Sequence, residues 1–269
     1  MAHVLASFQL VPVVVGLGLF VGFLVGMTGM GGASLMTPLL ILVAGARPVV
    51  AVGTDIAYST ITKLFGGAVH VRQGTVNWPT VRRLAYGSLP GSLLGVGSLA
   101  FFSRRLNADN LDKLVSHFVG MMLVLVAAVM LLRLAAPLAQ ERWPALRREP
   151  RDISEHGVWL PLLGFVVGYL VGFTSVGSGT MIVPVLSLLT VLPAAKIVGT
   201  DISHAVLLLA VSSVGHLALG TVDFNMTANL LIGSIPGVIV GSRLVLRVPE
   251  VPVRFALAAV LLVSAAKMI

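Results

Sequence analysis

The chain has 269 residues, of which 57% are hydrophobic and 10% charged, with a mean hydropathy of +1.01 and a formal net charge of +8. A soluble domain carries roughly 25% charged residues, so this chain cannot coat a water-facing surface and reads as a membrane protein. The absence of cysteine excludes a disulfide framework and a thiolate metal site, and the basic excess, much of it in one short linker, reads as positive-inside bias rather than nucleic-acid binding.

Ten apolar segments follow in order, at 8–27, 34–45, 49–70, 81–102 and 112–134, then 158–173, 180–192, 197–218, 227–247 and 251–269. A helix crossing the hydrocarbon needs about 20 residues. Most segments qualify, while 34–45 and 180–192 are too short and read as half-helices. The first segment lacks a basic start and carries part of an internal repeat, so it is expected to be retained rather than cleaved as a signal.

Residues 18–97 recur without a gap as residues 164–243, at an offset of 146, with 26 identities in 80 aligned pairs. The shared positions include Gly22/Gly168, Thr28/Thr174, Gly31/Gly177, Pro38/Pro184, Gly53-Thr54-Asp55-Ile56/Gly199-Thr200-Asp201-Ile202, His70/His216 and Gly74-Thr75-Val76/Gly220-Thr221-Val222. The expected fold class is therefore an all-α polytopic membrane protein, built from two homologous repeats of five helical segments each, 1–134 and 158–269. Many transporters are built this way, with the substrate site between the copies.

The stretch between the repeats, 135–157, is the only long polar one. Its arginines Arg142, Arg147, Arg148 and Arg151 are expected to hold it in the cytoplasm as a solvated connector. Counting crossings from it puts equivalent loops of the two copies on opposite sides. Arg72, Arg82 and Arg83 agree with that, since the partner region 217–229 has no Lys or Arg, whereas Arg104, Arg105 and Lys113 pull the other way. The balance favours inverted repeats, and inversion needs an odd number of crossings per copy. The first two segments of each copy meet that need by folding back as a re-entrant hairpin.

The tips of those hairpins read Gly26-Met27-Thr28-Gly29-Met30-Gly31-Gly32-Ala33-Ser34 and Gly172-Phe173-Thr174-Ser175-Val176-Gly177-Ser178-Gly179-Thr180. Clustered glycine disfavours continuing a helix, and Pro38 and Pro184 sit where a new helix tolerates a missing N–H. Each break would end at a helix N-terminus with unpaired amides and a positive dipole end, which is the chemistry an oxyanion needs. Two such breaks at matched positions point to a transporter site. The expected substrate residues are Thr28, Gly29, Gly31, Gly32 and Ser34 from one copy, and Thr174, Ser175, Gly177, Ser178, Gly179 and Thr180 from the other. Isolated spacings such as Gly18/Gly22/Gly26 read instead as close helix packing.

Asp55 and Asp201, in the duplicated Gly-Thr-Asp-Ile, admit two readings: carboxylates capping free N–H groups near a helix start, or intramembrane coupling groups. Lys63 lies eight residues after Asp55 and is matched by Leu209. It either lends charge to an anion path or pairs with a carboxylate. His204, three residues after Asp201, and the shared His70 and His216 are candidates for coupling or gating, since histidine titrates near neutral pH. No spacing supplies three convergent metal ligands, so no metal or cofactor is expected. The shared Gly87-Ser88-Leu89-Pro90-Gly91 and Gly233-Ser234-Ile235-Pro236-Gly237 read as a kinked packing element.

A duplicated glycine-rich break after threonine and before proline, then Gly-Thr-Asp, then Gly-Ser-xx-Gly, resembles the TauE/SafE sulfite exporter family over nearly the whole chain. The resemblance implies a multi-pass protein of the bacterial inner membrane exporting a small anion such as sulfite, sulfoacetate or a related organosulfonate. It also implies proton coupling, with the proton-motive force driving export; the two breaks fit alternating access, and the sequence offers no paired-aspartate, His-Glu-xx-His or spaced Ser/His motif of an intramembrane enzyme. The expected partners are the anion and the lipid bilayer, with the chain a monomer or homodimer. Ser175 and Ser178 stand where the first copy has Gly29 and Gly32, so the site is expected to be asymmetric. An anion channel of the same architecture is the alternative.

Overall fold

The computed structural model describes residues 8–28, 33–142, 158–244 and 250–269, and every regular element among them is an α-helix. The helices are α1 Pro12–Thr28, α2 Ala33–Leu42, α3 Pro48–Arg72, α4 Trp78–Arg105 and α5 Ala108–Arg142, then α6 Trp159–Thr174, α7 Ser178–Leu189, α8 Ala194–Ala218, α9 Phe224–Leu244 and α10 Glu250–Met268. Each overlaps one of the ten apolar segments. Four of the described helices are long and apolar enough to cross a membrane, within α4, α5, α8 and α9.

Several helices start before their apolar run because local chemistry favours it. Pro48 and Pro79 occupy first-turn positions, where the missing N–H costs nothing. Asn77 and Asp223, matched across the repeat, accept the backbone N–H of Thr80 and Met226 at 3.1 and 2.8 Å and so cap α4 and α9. At the preceding helix ends, Gly74 and Gly220 take φ of +65° and +68°, a left-handed conformation that needs glycine. Helix α5 continues past 134 to Arg142, into the stretch read as linker.

The two halves are joined along seams of small residues. Helix α1 lies beside α9, and α4 beside α6, as parallel pairs with backbones nearly touching. A Cβ added to Gly22 would stand 2.5 Å from the Ser234 carbonyl oxygen, and one on Gly172 would stand 2.5 Å from that of Ser92. The glycines of the shared Gly-Ser-x-Pro-Gly element serve the same seams: Gly87 and Gly91 meet the backbone of α6, and Gly233 and Gly237 that of α1.

Helices α3 and α8 cross at the centre and run antiparallel. Gly53, near the start of α3, meets Thr221 beyond the end of α8, Gly199 meets Thr75 in the reciprocal way, and Gly67 meets Val206 between them. Helices α5 and α10 pack against each other, α5 also against α3 and α7 and α10 against α2, and a continuous apolar core including Met36, Ile56, Leu123, Phe173, Ile182 and Leu208 fills the space. Large apolar side chains such as Phe65, Phe101, Leu132 and Val214 face outward, as a lipid-facing surface requires.

Candidate functional site

The second glycine-rich stretch is a true break. Helix α6 ends at Thr174, Ser175 takes a left-handed φ of 64°, Gly177 takes φ of 124°, and α7 begins at Ser178. The hydroxyl of Thr174 donates to the Leu170 carbonyl at 2.7 Å and accepts the Val176 N–H at 3.3 Å, so it shapes the break itself. Phe173, immediately before, is packed by the rings of Phe102, Phe118 and Tyr169. Residues 174–179 are all buried. In the first copy, Thr28 closes α1 and Ser34 lies in the first turn of α2. Gly29, Gly31, Gly32 and the side chain of Thr28 lie outside the described residues.

The first turns of the two half-helices meet. Ser34 Oγ and Thr180 Oγ1, which are repeat partners, lie 3.4 Å apart. Equivalent positions of the two sequence repeats are thus in contact at this point. Beside it, Lys63 Nζ donates to Ser178 Oγ at 2.6 Å, reaching from α3 to the N-terminus of α7. Lys63 is 8% exposed. The first amides of α7 have no intrahelical acceptor, so a cation, hydroxyls and a positive helix end converge on one spot.

Asp55, fully buried, accepts three hydroxyls: Thr37 and Ser175 at Oδ2 (2.6 and 2.9 Å) and Ser59 at Oδ1 (3.1 Å). Its N-terminal position in α3 therefore serves no capping bond to its own helix. Instead it ties together α2, α3 and the α6–α7 break. The left-handed Ser175 is held by this bond, and its repeat partner is Gly29, the residue that conformation ordinarily prefers.

Asp201 has the same place in α8 and none of this support. It is 4% exposed, its Oδ1 has no hydrogen-bond partner among the described residues, and Lys63 acts on it electrostatically. The reason is in the sequence. Thr37, Ser59 and Ser175 correspond to Val183, Ala205 and Gly29, none of which carries a donor side chain. His204, fully buried one turn on, pairs Nε2 with Ser88 Oγ at 2.7 Å while its Nδ1 has no partner among the described residues. Its counterpart Tyr58 pairs with Ser234, the counterpart of Ser88.

His70 and His216 lie apart from this cluster and do the same job in each copy. Their Nδ1 atoms sit 2.9 Å from the hydroxyls of Thr75 and Thr221, each of which also donates to the histidine's own carbonyl at 3.1 Å. His216 Nε2 also reaches the Gly172 carbonyl at 3.0 Å. These contacts hold the turns on which Gly199 and Gly53 of the opposite halves rest. Thr54 and Thr200 complete the clamp by accepting the N–H of Asp223 and Asn77 at 3.0 and 2.9 Å. In Gly-Thr-Asp, then, glycine and threonine bind the halves together and only the aspartate faces the site.

Sequence reasoning passed over Thr37, Ser59, Ser92 and Ser212. The last two share a 2.6 Å bond between α4 and α8. The available signal was the repeat itself: a hydroxyl in one copy opposite Val, Ala or Gly in the other marks a place where the halves differ in chemistry.

A profile of the sulfite exporter TauE/SafE family matches residues 14–268. The chain is 43% identical over 255 residues to the probable membrane transporter protein YjnA of Bacillus subtilis strain 168, covering 94% of this chain and 97% of that one. It is 26% identical over 246 residues to the probable membrane transporter protein YunE of the same organism, covering 86% of each. A probable membrane transporter protein of Xylella fastidiosa (strain Temecula1 / ATCC 700964) is 28% identical over 251 residues, covering 90% and 87%. No solved structure matches the chain significantly.

Proposed function

The chain belongs to the sulfite exporter TauE/SafE family and is a multi-pass membrane transporter rather than an enzyme, and from that premise we propose that it exports a small oxyanion, such as sulfite, sulfoacetate or a related organosulfonate, across the inner membrane by alternating access. The observation that carries this reading is the meeting of Lys63 with Ser178 at the start of α7, beside the Ser34–Thr180 contact. Helix N-termini attract anions, a buried lysine adds full charge, and hydroxyls supply directed donors. Broken helices meeting at a repeat interface are the usual transporter arrangement for such a site.

The inverted relation of the repeats is supported by helix direction. A two-fold axis in the membrane plane reverses equivalent helices. The equivalent pair α3 and α8 run antiparallel, while α1 runs with α9 and α4 with α6. Export is supported energetically, since an inside-negative potential favours anion exit by about 2.3 kcal/mol per charge at 100 mV. A channel of the same architecture is the alternative, and burial of the whole break at residues 174–179 favours the transporter reading.

The test is anion efflux from vesicles containing the purified chain. Losing Lys63 removes a charge-assisted contact of about 1.5–3 kcal/mol, so Lys63→Met is expected to weaken apparent affinity about 10- to 100-fold, and Thr180→Val more mildly. Wild-type affinity and flux in Lys63→Met would refute the site, and single-channel currents would favour the channel.

A further inference from the structure

The duplicated aspartates have diverged in environment, and that divergence has a consequence for coupling. We propose that Asp201, and not its repeat partner Asp55, is the carboxylate that takes up and releases a proton in the transport cycle, and that anion binding at Lys63 drives the uptake. The inference rests on the anion-site reading above.

Three observations combine. Asp55 receives hydroxyl donors from α2, α3 and the α6–α7 break, which fits it as a permanent acceptor. Asp201 is also enclosed, yet its Oδ1 has no hydrogen-bond partner among the described residues, and an unsupported buried charge is costly. The cation nearest to its needs, Lys63, is already turned to Ser178, where the anion would sit.

The ionisable groups around Asp201 are few. Helix α3 contributes Lys63 and Asp55, and α8 itself contributes His204, whose Nε2 is held by Ser88 of α4. The start of α7 presents the Ser178 hydroxyl to Lys63. When an anion claims Lys63, Asp201 loses its one attractive partner among the described residues. One proton from bulk water then converts its carboxylate to the neutral acid. For a monovalent anion the buried charge is unchanged, and no redox step is involved. Anion and proton would thus travel together: a dianion keeps one net negative charge on which the membrane potential acts, a monovalent anion moves without net charge, and the direction of net movement is set by the combined gradients.

The experiment uses the purified full-length chain in detergent, with sulfoacetate and thiosulfate as probes because neither titrates near neutral pH. Calorimetry in buffers of different ionisation heat counts the protons taken up per anion bound. The expected wild-type result is one proton taken up per anion bound, the single proton Asp201 can hold, with affinity falling by about tenfold per pH unit on the alkaline side. Asp201→Asn is expected to bind anion without proton uptake and with a flat pH profile. Ala205→Ser supplies the donor that Ser59 gives Asp55, and is expected to reduce the protons taken up at neutral pH. That second variant tests the idea even if Asp201→Asn does not fold.

Wild-type binding without proton uptake overturns this inference alone, as does uptake that persists in Asp201→Asn or is unchanged in Ala205→Ser. Uptake removed by His204→Asn in place of Asp201→Asn assigns the proton to His204 and also overturns it. Failure of both probes to bind the wild type overturns the anion site, and this inference with it.

Discussion

Substituting Thr37 by Val and Ser175 by Gly removes the same kind of bond from the same carboxylate oxygen, yet the two should not cost the same. Thr37 donates to Asp55 Oδ2 at 2.6 Å and Ser175 to that atom at 2.9 Å. A hydrogen bond to a charged group is worth about 1.5–3 kcal/mol net, which is the expected loss for Thr37→Val. Ser175, however, holds φ of 64°, a left-handed conformation that costs an ordinary residue about 1–2 kcal/mol and glycine almost nothing. Relief of that strain offsets part of the lost bond, so Ser175→Gly should be milder by about 1 kcal/mol. In thermal unfolding of the detergent-solubilised protein, Thr37→Val should melt about 2–4 °C below Ser175→Gly. The reasoning fails if Ser175→Gly is the more damaging of the two, or if both melt with the wild type.

Three further outcomes follow from the packing. Gly22→Ala puts a Cβ 2.5 Å from the Ser234 carbonyl and should destabilise by about 1–3 kcal/mol through overpacking. Gly16→Ala in the same helix meets nothing within 4 Å and should raise the melting temperature through helix propensity, by up to about 1 kcal/mol; equal shifts in the two variants would contradict the seam. Buried Asn229 accepts the Val11 N–H at 2.8 Å and donates to the Gln9 and Asn225 carbonyls, so Asn229→Leu should cost about 1–3 kcal/mol and speed proteolysis ahead of α1. The Arg47–Asp112 pair at 2.7 Å is 57% exposed on the arginine side. Arg47→Ala should therefore change stability by at most about 1 kcal/mol, with an effect that fades in high salt.

The sequence by itself determined the class of molecule and most of its layout. Hydropathy located ten helices because a lipid-facing helix must be apolar along its whole length, and the 146-residue offset identified equivalent positions. Glycine clusters marked the break at 174–178, because backbone conformation is a local property. What tertiary structure alone decided is which equivalent residues share a role. Asp55 and Asp201 are identical in motif, but the donors that satisfy one come from α2, from a turn farther along α3 and from a break 120 residues away, and the other's neighbours lack them. Lys63 likewise finds Ser178 across 115 residues, and the glycine and threonine of Gly-Thr-Asp bear on the opposite half. Periodicity records which face a side chain is on, whereas a hydrogen bond depends on what the fold brings to within about 3 Å of it.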